Sequence, residues 1–255
     1  MNTAASAATS PAPVIQPDRK VRVYIDFDGT ISTEDIGEQI FRVLGDSNRV
    51  DEILIAMNNQ SLSTTEGWRR LLETLPPMNE ESLRSFVLQY SLDPAFKEFL
   101  QFAAGRNFEC AILSDGMDFY IRLLLEREGI TNIPVFSNHL VFRDDGAMKL
   151  EFSLQDEECR LCAHCKRNRV VITSADEDYT VYIGNGHSDM CAAQYCDFIF
   201  AKDALLKFCE KERIPFSPYR NFKDVKEKLA VITNKRRLKK RHQAELKRRA
   251  LYMRG

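Results

Sequence analysis

Apolar residues in this chain gather into short runs, each stopped by a small or acidic residue. The first, Val21-Arg22-Val23-Tyr24-Ile25-Asp26-Phe27, is β-branched and aromatic and halts at Asp28-Gly29-Thr30. Similar runs fall at 108–113, 134–136, 180–183 and 198–201. Runs of this kind bounded by turn formers predict buried strands. Helical patterns at 118–128 and 204–212 lie between them. Strands alternating with helices build a parallel sheet covered on both faces. The predicted fold class is therefore α/β, a Rossmann-like doubly wound parallel sheet.

One interval breaks this rhythm. From Ser32 to about Asp93 no strand pattern occurs, only helical ones at 36–44, 64–75 and 80–90, the last two split by Pro76-Pro77. That predicts an all-helical cap at 33–93 inserted after the first strand, with the core formed by 20–32 and 94–232. Farther on, Leu140-Val141-Phe142 and 148–152 flank Arg143-Asp144-Asp145-Gly146, where Asp-Gly between apolar runs predicts a small β-hairpin.

Composition narrows the class without changing the fold. Of 255 residues 44% are hydrophobic and 29% charged, an ordinary globular mix. Residues 1–19, rich in Ala, Ser, Thr and Pro, are expected to be a disordered leader. No apolar run approaches the roughly 20 residues of a membrane helix, and the N-terminus lacks the pattern of a secretory signal. Seven cysteines, an odd number, point to reduced thiols and a cytoplasmic protein. The net charge of −1 conceals an asymmetry: residues 235–255 hold ten Lys or Arg and one Glu, leaving 26 basic and 36 acidic residues elsewhere. A basic C-terminal tail is thus set off at 233–255. Its cations surround a helical projection with few apolar residues, so it lacks a membrane-binding face. A solvated helix or frayed end is expected there in preference to nucleic-acid binding.

Three strand ends carry candidate chemistry. Asp26-Phe27-Asp28-Gly29-Thr30 places two carboxylates at the carboxyl edge of a buried strand, where α/β sheets put their sites; the plainer alternative is that they cap the next helix. Ser114-Asp115-Gly116 ends a second strand with a hydroxyl and a turn whose N–H groups could face an anion, though it also makes an ordinary turn. Tyr182-Ile183-Gly184-Asn185-Gly186-His187-Ser188-Asp189 ends a third. Asn185 and Asp189 there offer oxygen ligands suited to a hard cation such as Mg²⁺, or else Ser188 or Asp189 caps a helix.

Taken together these loops resemble the haloacid dehalogenase superfamily, whose order is DxDGT, a Ser or Thr at a strand end, a Lys, and a Gly-Asp loop with a second Asp. The resemblance implies that Asp26 is a nucleophile forming an aspartyl-phosphate and that Asp28 protonates the leaving oxygen and then activates water. It implies Mg²⁺ held by Asp26, Asp28, Asn185 and Asp189. Chemistry supports that assignment, since a carboxylate attacking an anionic phosphoryl group needs a cation and oriented donors around it. Asp28 must also hold a proton, although a free Asp titrates near ~3.9.

Ser114-Asp115-Gly116-Met117-Asp118-Phe119, Ser137-Asn138-His139, Cys162-Ala163-His164-Cys165-Lys166 and the stretch from Phe200 to Leu206 resemble a narrower group. These are the 2-hydroxy-3-keto-5-methylthiopentenyl-1-phosphate phosphatases, methionine-salvage relatives of phosphoserine phosphatase. That resemblance makes Lys166, with Ser114 and Asp115, the phosphate-binding set, and a small phosphorylated metabolite the partner; phosphoserine or phosphoethanolamine-type esters follow as substrates. Two departures stand out. Asn185 replaces the usual Asp and brings an amide oxygen without charge. Asp115 replaces a usual Gly, and its carboxylate would repel phosphate unless it points away.

Cys159-x2-Cys162-x2-Cys165, beside His164, also has the look of a zinc site, whose fourth ligand would be His164, Cys191 or Cys196. The reading preferred here is a cysteine-rich loop that places Lys166. Trp68, the sole Trp, is expected in the core of the helical insert. The rival functional class is a catalytically weakened binding protein, with the metal site disabled by Asn185 and a partner held by the cysteines or the tail.

Overall fold

In the computed structural model, residues 20–156, 162–235 and 237–253 are described. The leader expected at 1–19 lies outside them, and so does Cys159. Strands β1 (Val21–Ile25), β2 (Glu109–Met117), β3 (Val135–Phe142), β4 (Met148–Glu151), β5 (Tyr179–Gly184), β6 (Phe198–Ala201) and β7 (Ser217–Pro218) form one sheet in the order β4-β3-β2-β1-β5-β6-β7. Every pairing is parallel except β3 with β4. The α/β, doubly wound expectation holds.

The sheet's centre follows from its sequence. Strand β1 is nearly continuous in apolar residues because both faces are covered, the pattern of parallel strands. Val23, Ile25 and Phe27 are fully buried. Tyr24 pairs with Ala111 on one side and Tyr182 on the other. The chain leaves β1, returns on one side as β2 and later on the other as β5, so Asp26 emerges where the strand order reverses.

Strand β2 runs farther than its apolar run. Beyond Leu113 its register with β3 shifts, and pairing resumes at Met117 opposite Asn138. The segment from Ser114 to Gly116 is therefore an irregular, bulged stretch rather than a simple turn. The Asn138 side-chain amide, donating to the Asp115 carbonyl at 2.8 Å, supplies the pairing that the bulge interrupts. The hairpin forms, with Gly146 at φ +79° in its turn, but as the edge of the main sheet rather than as a separate unit.

Between β1 and β2 lie α1 (Ile36–Leu44), α2 (Ser47–Asn58), α3 (Thr64–Leu72) and α4 (Glu80–Val87), then α5 (Phe96–Gly105), which packs under the sheet against α10 (Phe222–Thr233). The first four make the helical insert. Both strands of its neck are clipped together: Ser32 bridges Leu92, the Thr33 amide donates to the Ser91 carbonyl at 3.0 Å, and the Asp93 amide to the Ile31 carbonyl at 2.7 Å. Trp68 packs edge-on against Phe41 at 5.6 Å inside the insert. Helix α2 shows no broad apolar stripe because only Val50 and Ile53 are buried along it.

Farther along the chain come α6 (Asp118–Arg127), α7 (Lys166–Thr173), α8 (Asp189–Ala193) and α9 (Asp203–Lys211). The basic tail differs from the solvated or frayed end expected of it. It forms α11 (His242–Tyr252), and its cations are used internally. Arg241 donates to the carbonyls of Ala193, Gln194 and Cys196, closing the end of α8. Arg248 is 1% exposed and bonds the Tyr195 carbonyl, Thr180 and Asp197. Charge spread around a helix conceals docking when arginines satisfy buried carbonyls instead of water. Among the described residues no helix is long and apolar enough to cross a membrane.

Candidate active site

Asp26 continues the β1 ladder by one bond, its amide donating to the Ile183 carbonyl at 2.9 Å, and then turns its side chain into a cavity of about 620 Å³. Its carboxylate is met by Lys166. This side chain is fully buried, and its three N–H groups have three acceptors: Asp26 Oδ1 at 2.6 Å, Asp189 Oδ1 at 2.7 Å and Ser188 Oγ at 3.0 Å. Burial works against the ammonium charge, but the Asp189 and Asp26 carboxylates overcome it and hold the lysine well above its usual value. Burial and the like charge of Asp189 push Asp26 up, and Lys166 pulls it back in part.

Asp189 is placed differently from the ligand role expected of it. Its Oδ1 accepts from Lys166 and from the Tyr182 hydroxyl at 2.7 Å, and its Oδ2 from the amides of Asn185 at 3.0 Å and Gly186 at 2.9 Å. Four protein donors occupy it, so it orients the lysine and shapes the glycine loop.

Asp28 sits where the sheet meets the insert. Oδ1 accepts from the Ile36 and Gly37 amides at 3.1 and 3.3 Å, in the first turn of α1. Oδ2 accepts from the Tyr120 hydroxyl at 2.6 Å and Ser114 Oγ at 3.3 Å. Burial first, then the negative charge of Asp35, pushes its carboxyl well above the ordinary range. This is the direction an acid needs if it is to hold a proton at neutral pH.

Ser114 is fully buried, and its hydroxyl also accepts from the Gly116 amide at 2.9 Å. Asp115 turns its carboxylate away from Asp26, to the amides of Ala163 at 2.5 Å and His164 at 2.8 Å. Burial pushes it up to about 6 against those two bonds. The extra carboxylate thus anchors the turn that leads into Lys166. Asn185 lies against the DxDGT loop: Thr30 donates to its Oδ1 at 3.2 Å, and a Cβ on Gly29, whose φ is +67°, would fall 2.5 Å from its Nδ2. Glycine is required there by conformation and by space.

Sequence reasoning missed Tyr120, which resembles a core residue of α6. Its hydroxyl reaches Asp28 because helical side chains lean toward the N-terminus, here toward the end of β2. A Cβ on Gly116 would stand 1.7 Å from that hydroxyl, so the bulge and the tyrosine fit only together. Hydrogen bonds to charged groups are worth about 1.5–3 kcal/mol, so Tyr120→Phe should lower turnover of an alkyl phosphate by about tenfold or more. It should lower p-nitrophenyl phosphate turnover less, because that leaving group needs no proton and only the water step still draws on Asp28. Equal losses on both esters would deny Tyr120 a role in holding the acid.

The donors present fit a hard cation. Asp26, Asp35, Asp115 and Asp189 share the charge of one buried lysine, leaving negative charge that a divalent ion would offset. Turn amides of Thr30, Ile31 and Ser32 all converge on the Phe27 carbonyl, leaving that of Asp28 out of the turn's bonding. Among the described residues no three His, Cys, Asp or Glu side chains form a metal cluster.

Much of the remaining cavity wall comes from the insert, with apolar Phe41, Leu54, Met57, Leu62, Trp68 and Leu71, and with Asp35 and Glu38, while Met190 and Phe208 close it from the core. Trp68 therefore serves the insert's core and the cavity at once. Arg69 and Arg70 pair with Glu66 instead of lining it.

Residues 21–208 match the family model described as "Putative Phosphatase". The chain belongs to this phosphatase family. It is a phosphatase of the haloacid dehalogenase type, the superfamily its motifs resemble. Among its relatives is the 2-hydroxy-3-keto-5-methylthiopentenyl-1-phosphate phosphatase of Bacillus mycoides, 30% identical over 207 residues, which cover 80% of this chain and 94% of that protein. Pdp3-interacting factor 1 of Schizosaccharomyces pombe is 28% identical over 226 residues, 84% of this chain and 96% of that protein. A solved phosphoserine phosphatase, carrying a phospho-aspartyl intermediate analogue, superposes with a TM-score of 0.63 at 18% identity, covering 84% of this chain and 99% of its own. At that identity the likeness speaks for the fold.

Proposed function

We propose that this phosphatase hydrolyses a small phosphomonoester through an aspartyl-phosphate on Asp26, with Mg²⁺ as cofactor. The observation that carries the reading is the buried Asp26–Lys166 contact at 2.6 Å, formed beside a carboxyl, Asp28, that burial pushes well above the ordinary range. Asp26 attacks phosphorus while the Lys166 ammonium faces the charge of the phosphoryl oxygens. Asp28 delivers its proton to the departing oxygen as that bond breaks. The resulting Asp28 carboxylate then takes a proton from water, which attacks the phosphoaspartate, frees phosphate and restores Asp26. Held by Asp26, the Asp28 carbonyl and the Asn185 amide oxygen, Mg²⁺ would supply neutralisation of phosphoryl charge. The helical insert covers the sheet edge as a cap that excludes water and selects the leaving group.

The lining of the cavity favours a leaving group without a carboxylate. Among the described lining residues there is no Lys or Arg to meet one, whereas Met57, Leu54, Leu62 and Trp68 offer an apolar wall. A methylthiopentenyl ester suits that wall better than phosphoserine, whose carboxylate would face Asp35 and Glu38. This reading makes the chain a cytoplasmic enzyme of methionine salvage. A phosphomonoester panel assayed with Mg²⁺ and with chelator tests it: Mg²⁺-dependent phosphate release, greatest for the methylthiopentenyl ester, is expected. Turnover unaffected by chelation, or preference for phosphoserine, would refute the corresponding part.

Asn185→Asp tests the metal set. It adds a negative charge to the ligand sphere, so the apparent Mg²⁺ affinity in a metal titration should rise. An unchanged affinity would place Asn185 outside the coordination sphere.

A further inference from the structure

The turn Cys162-Ala163-His164-Cys165 runs directly into Lys166, the first residue of α7, with Cys165 at the helix N-cap. Cys162 and Cys165 stand three residues apart in this one turn as free thiols, and both are buried, at 7% and 1% exposure. The backbone between them is fixed. Asp115 accepts from the amides of Ala163 and His164, and the Cys165 amide donates to the Leu154 carbonyl at 2.7 Å. One short turn thus ties a Cys-x-x-Cys pair of thiols to the phosphate loop on one side and to the lysine on the other. The proposed reaction uses neither sulfur.

We infer that Cys162 and Cys165 are a modification site, forming a reversible disulfide with a hydroperoxide as oxidant and thereby switching off the phosphatase through Lys166. The effect on activity rests on the phosphate role proposed for Lys166; the disulfide itself does not. In the first step the Cys165 thiolate attacks one peroxide oxygen and the O–O bond breaks, giving a sulfenic acid and, after protonation, water from hydrogen peroxide. The Cys162 thiol then attacks that sulfur; the S–O bond breaks, a second water leaves and the S–S bond forms. Two thiols lose two hydrogens and two electrons, and the peroxide is reduced to two waters.

Several features support this pair over other uses of the cysteines. Cys-x-x-Cys at a helix N-terminus is the arrangement in which a thiolate is stabilised. The hydrogen bond from Cys162, with the Asn168 amide and the Arg167 guanidinium, holds the Cys165 thiol below its ordinary value despite burial. A zinc site at this turn would draw on Cys159, which lies outside the described residues, and on His164, which is buried with Nδ1 bonded to Ser153 Oγ at 2.9 Å and, among the described residues, without a partner at Nε2; the metal content of the protein separates it from the disulfide. Disulfide formation brings the two sulfurs to ~2.05 Å of each other. A turn whose amides are fixed on Asp115 must re-pitch to allow it, and Lys166 shifts with it. A misplacement of ~1 Å at a catalytic centre can cost about 100-fold in rate.

The test treats the reduced full-length protein with hydrogen peroxide, quenches it, measures Mg²⁺-dependent phosphate release and maps thiols by mass. Trypsin cleavage after Arg160 and Lys166 releases both cysteines in a single peptide. That peptide is expected to become lighter by two hydrogens while kcat/KM falls by about tenfold or more, with dithiothreitol reversing both changes. Cys162→Ser and Cys165→Ser should keep phosphatase activity and lose the reversible inactivation. A disulfide that instead engages Cys159 or Cys191, equal inactivation of Cys162→Ser, or one zinc per chain released on oxidation would each overturn the proposal. If a serine variant fails to fold, the peptide mass in the wild-type chain still decides. A disulfide formed at this pair with no change in kcat/KM would overturn the switch. Absence of phosphatase activity in the reduced protein would sink the functional reading, while the peptide mass would still report on the disulfide.

Discussion

Asp26→Asn should abolish phosphate release, lowering turnover by roughly 10⁴–10⁶-fold, the scale on which hydrolases fail when their nucleophile is removed. A carboxamide is a poor nucleophile, and the change also withdraws the charge that faces Lys166 at 2.6 Å and would hold the cation. The fold should survive. Burial and the Asp189 carboxylate push Asp26 up, so its ionised form is held at a cost that the neutral amide does not carry, and Lys166 keeps Asp189 as partner. Without added cation the variant is therefore expected to melt at or above the wild-type temperature. Phosphate-release assays with thermal melts in parallel check both halves. Turnover close to wild type would end the aspartyl-phosphate mechanism, whereas an unfolded variant would show that Asp26 is needed for the fold.

Much of this site was legible because its parts fall at the ends of strands whose composition announces them. Runs such as Val21 to Phe27 are buried on both faces, so nearly every residue is apolar and the ending acids stand out. Strand β7, two residues including a proline, leaves no such trace. Helix α2 buries only two side chains and is invisible for the opposite reason: its core-facing stripe is too narrow for a periodic signal. The roles that escaped depend on where side chains from distant elements meet. Tyr120 has the periodicity of a core residue, and only the bulge at Gly116 brings its hydroxyl to Asp28. Asp189 has the spacing of a ligand, yet four donors from three parts of the chain occupy its oxygens. In the tail, ten basic residues signal charge but not direction, and the inward turn of Arg241 and Arg248 depends on carbonyls that a linear sequence does not display.

Lys166→Met should also cripple turnover, and the structure adds a cost in stability that a surface lysine would not carry. Lys166 lies between Asp26 and Asp189, and all three side chains are almost wholly buried. Removing one partner of a buried charge cluster typically costs about 3–5 kcal/mol, because the charges left behind have lost both water and counter-ion. The pH dependence follows from the same charges. Without the ammonium that pulls it back, the Asp26 carboxyl of the folded variant, pushed up by burial and by the Asp189 charge, titrates above its unfolded value of about 3.9, so between the two values the folded chain binds more protons than the unfolded one. Stability should then be retained below the unfolded value and lost as pH rises through the higher folded value, with acidification restoring it. Chemical denaturation across this range reads that slope directly. A second change separates fold from chemistry. In Lys166→Met/Asp189→Asn one of the stranded charges is gone, so much of the lost stability should return at pH 8 while phosphate release stays absent, because nothing then faces the phosphoryl charge. Recovery of both stability and turnover in the double variant would reduce Lys166 to a neutraliser of Asp189 and remove it from the reaction.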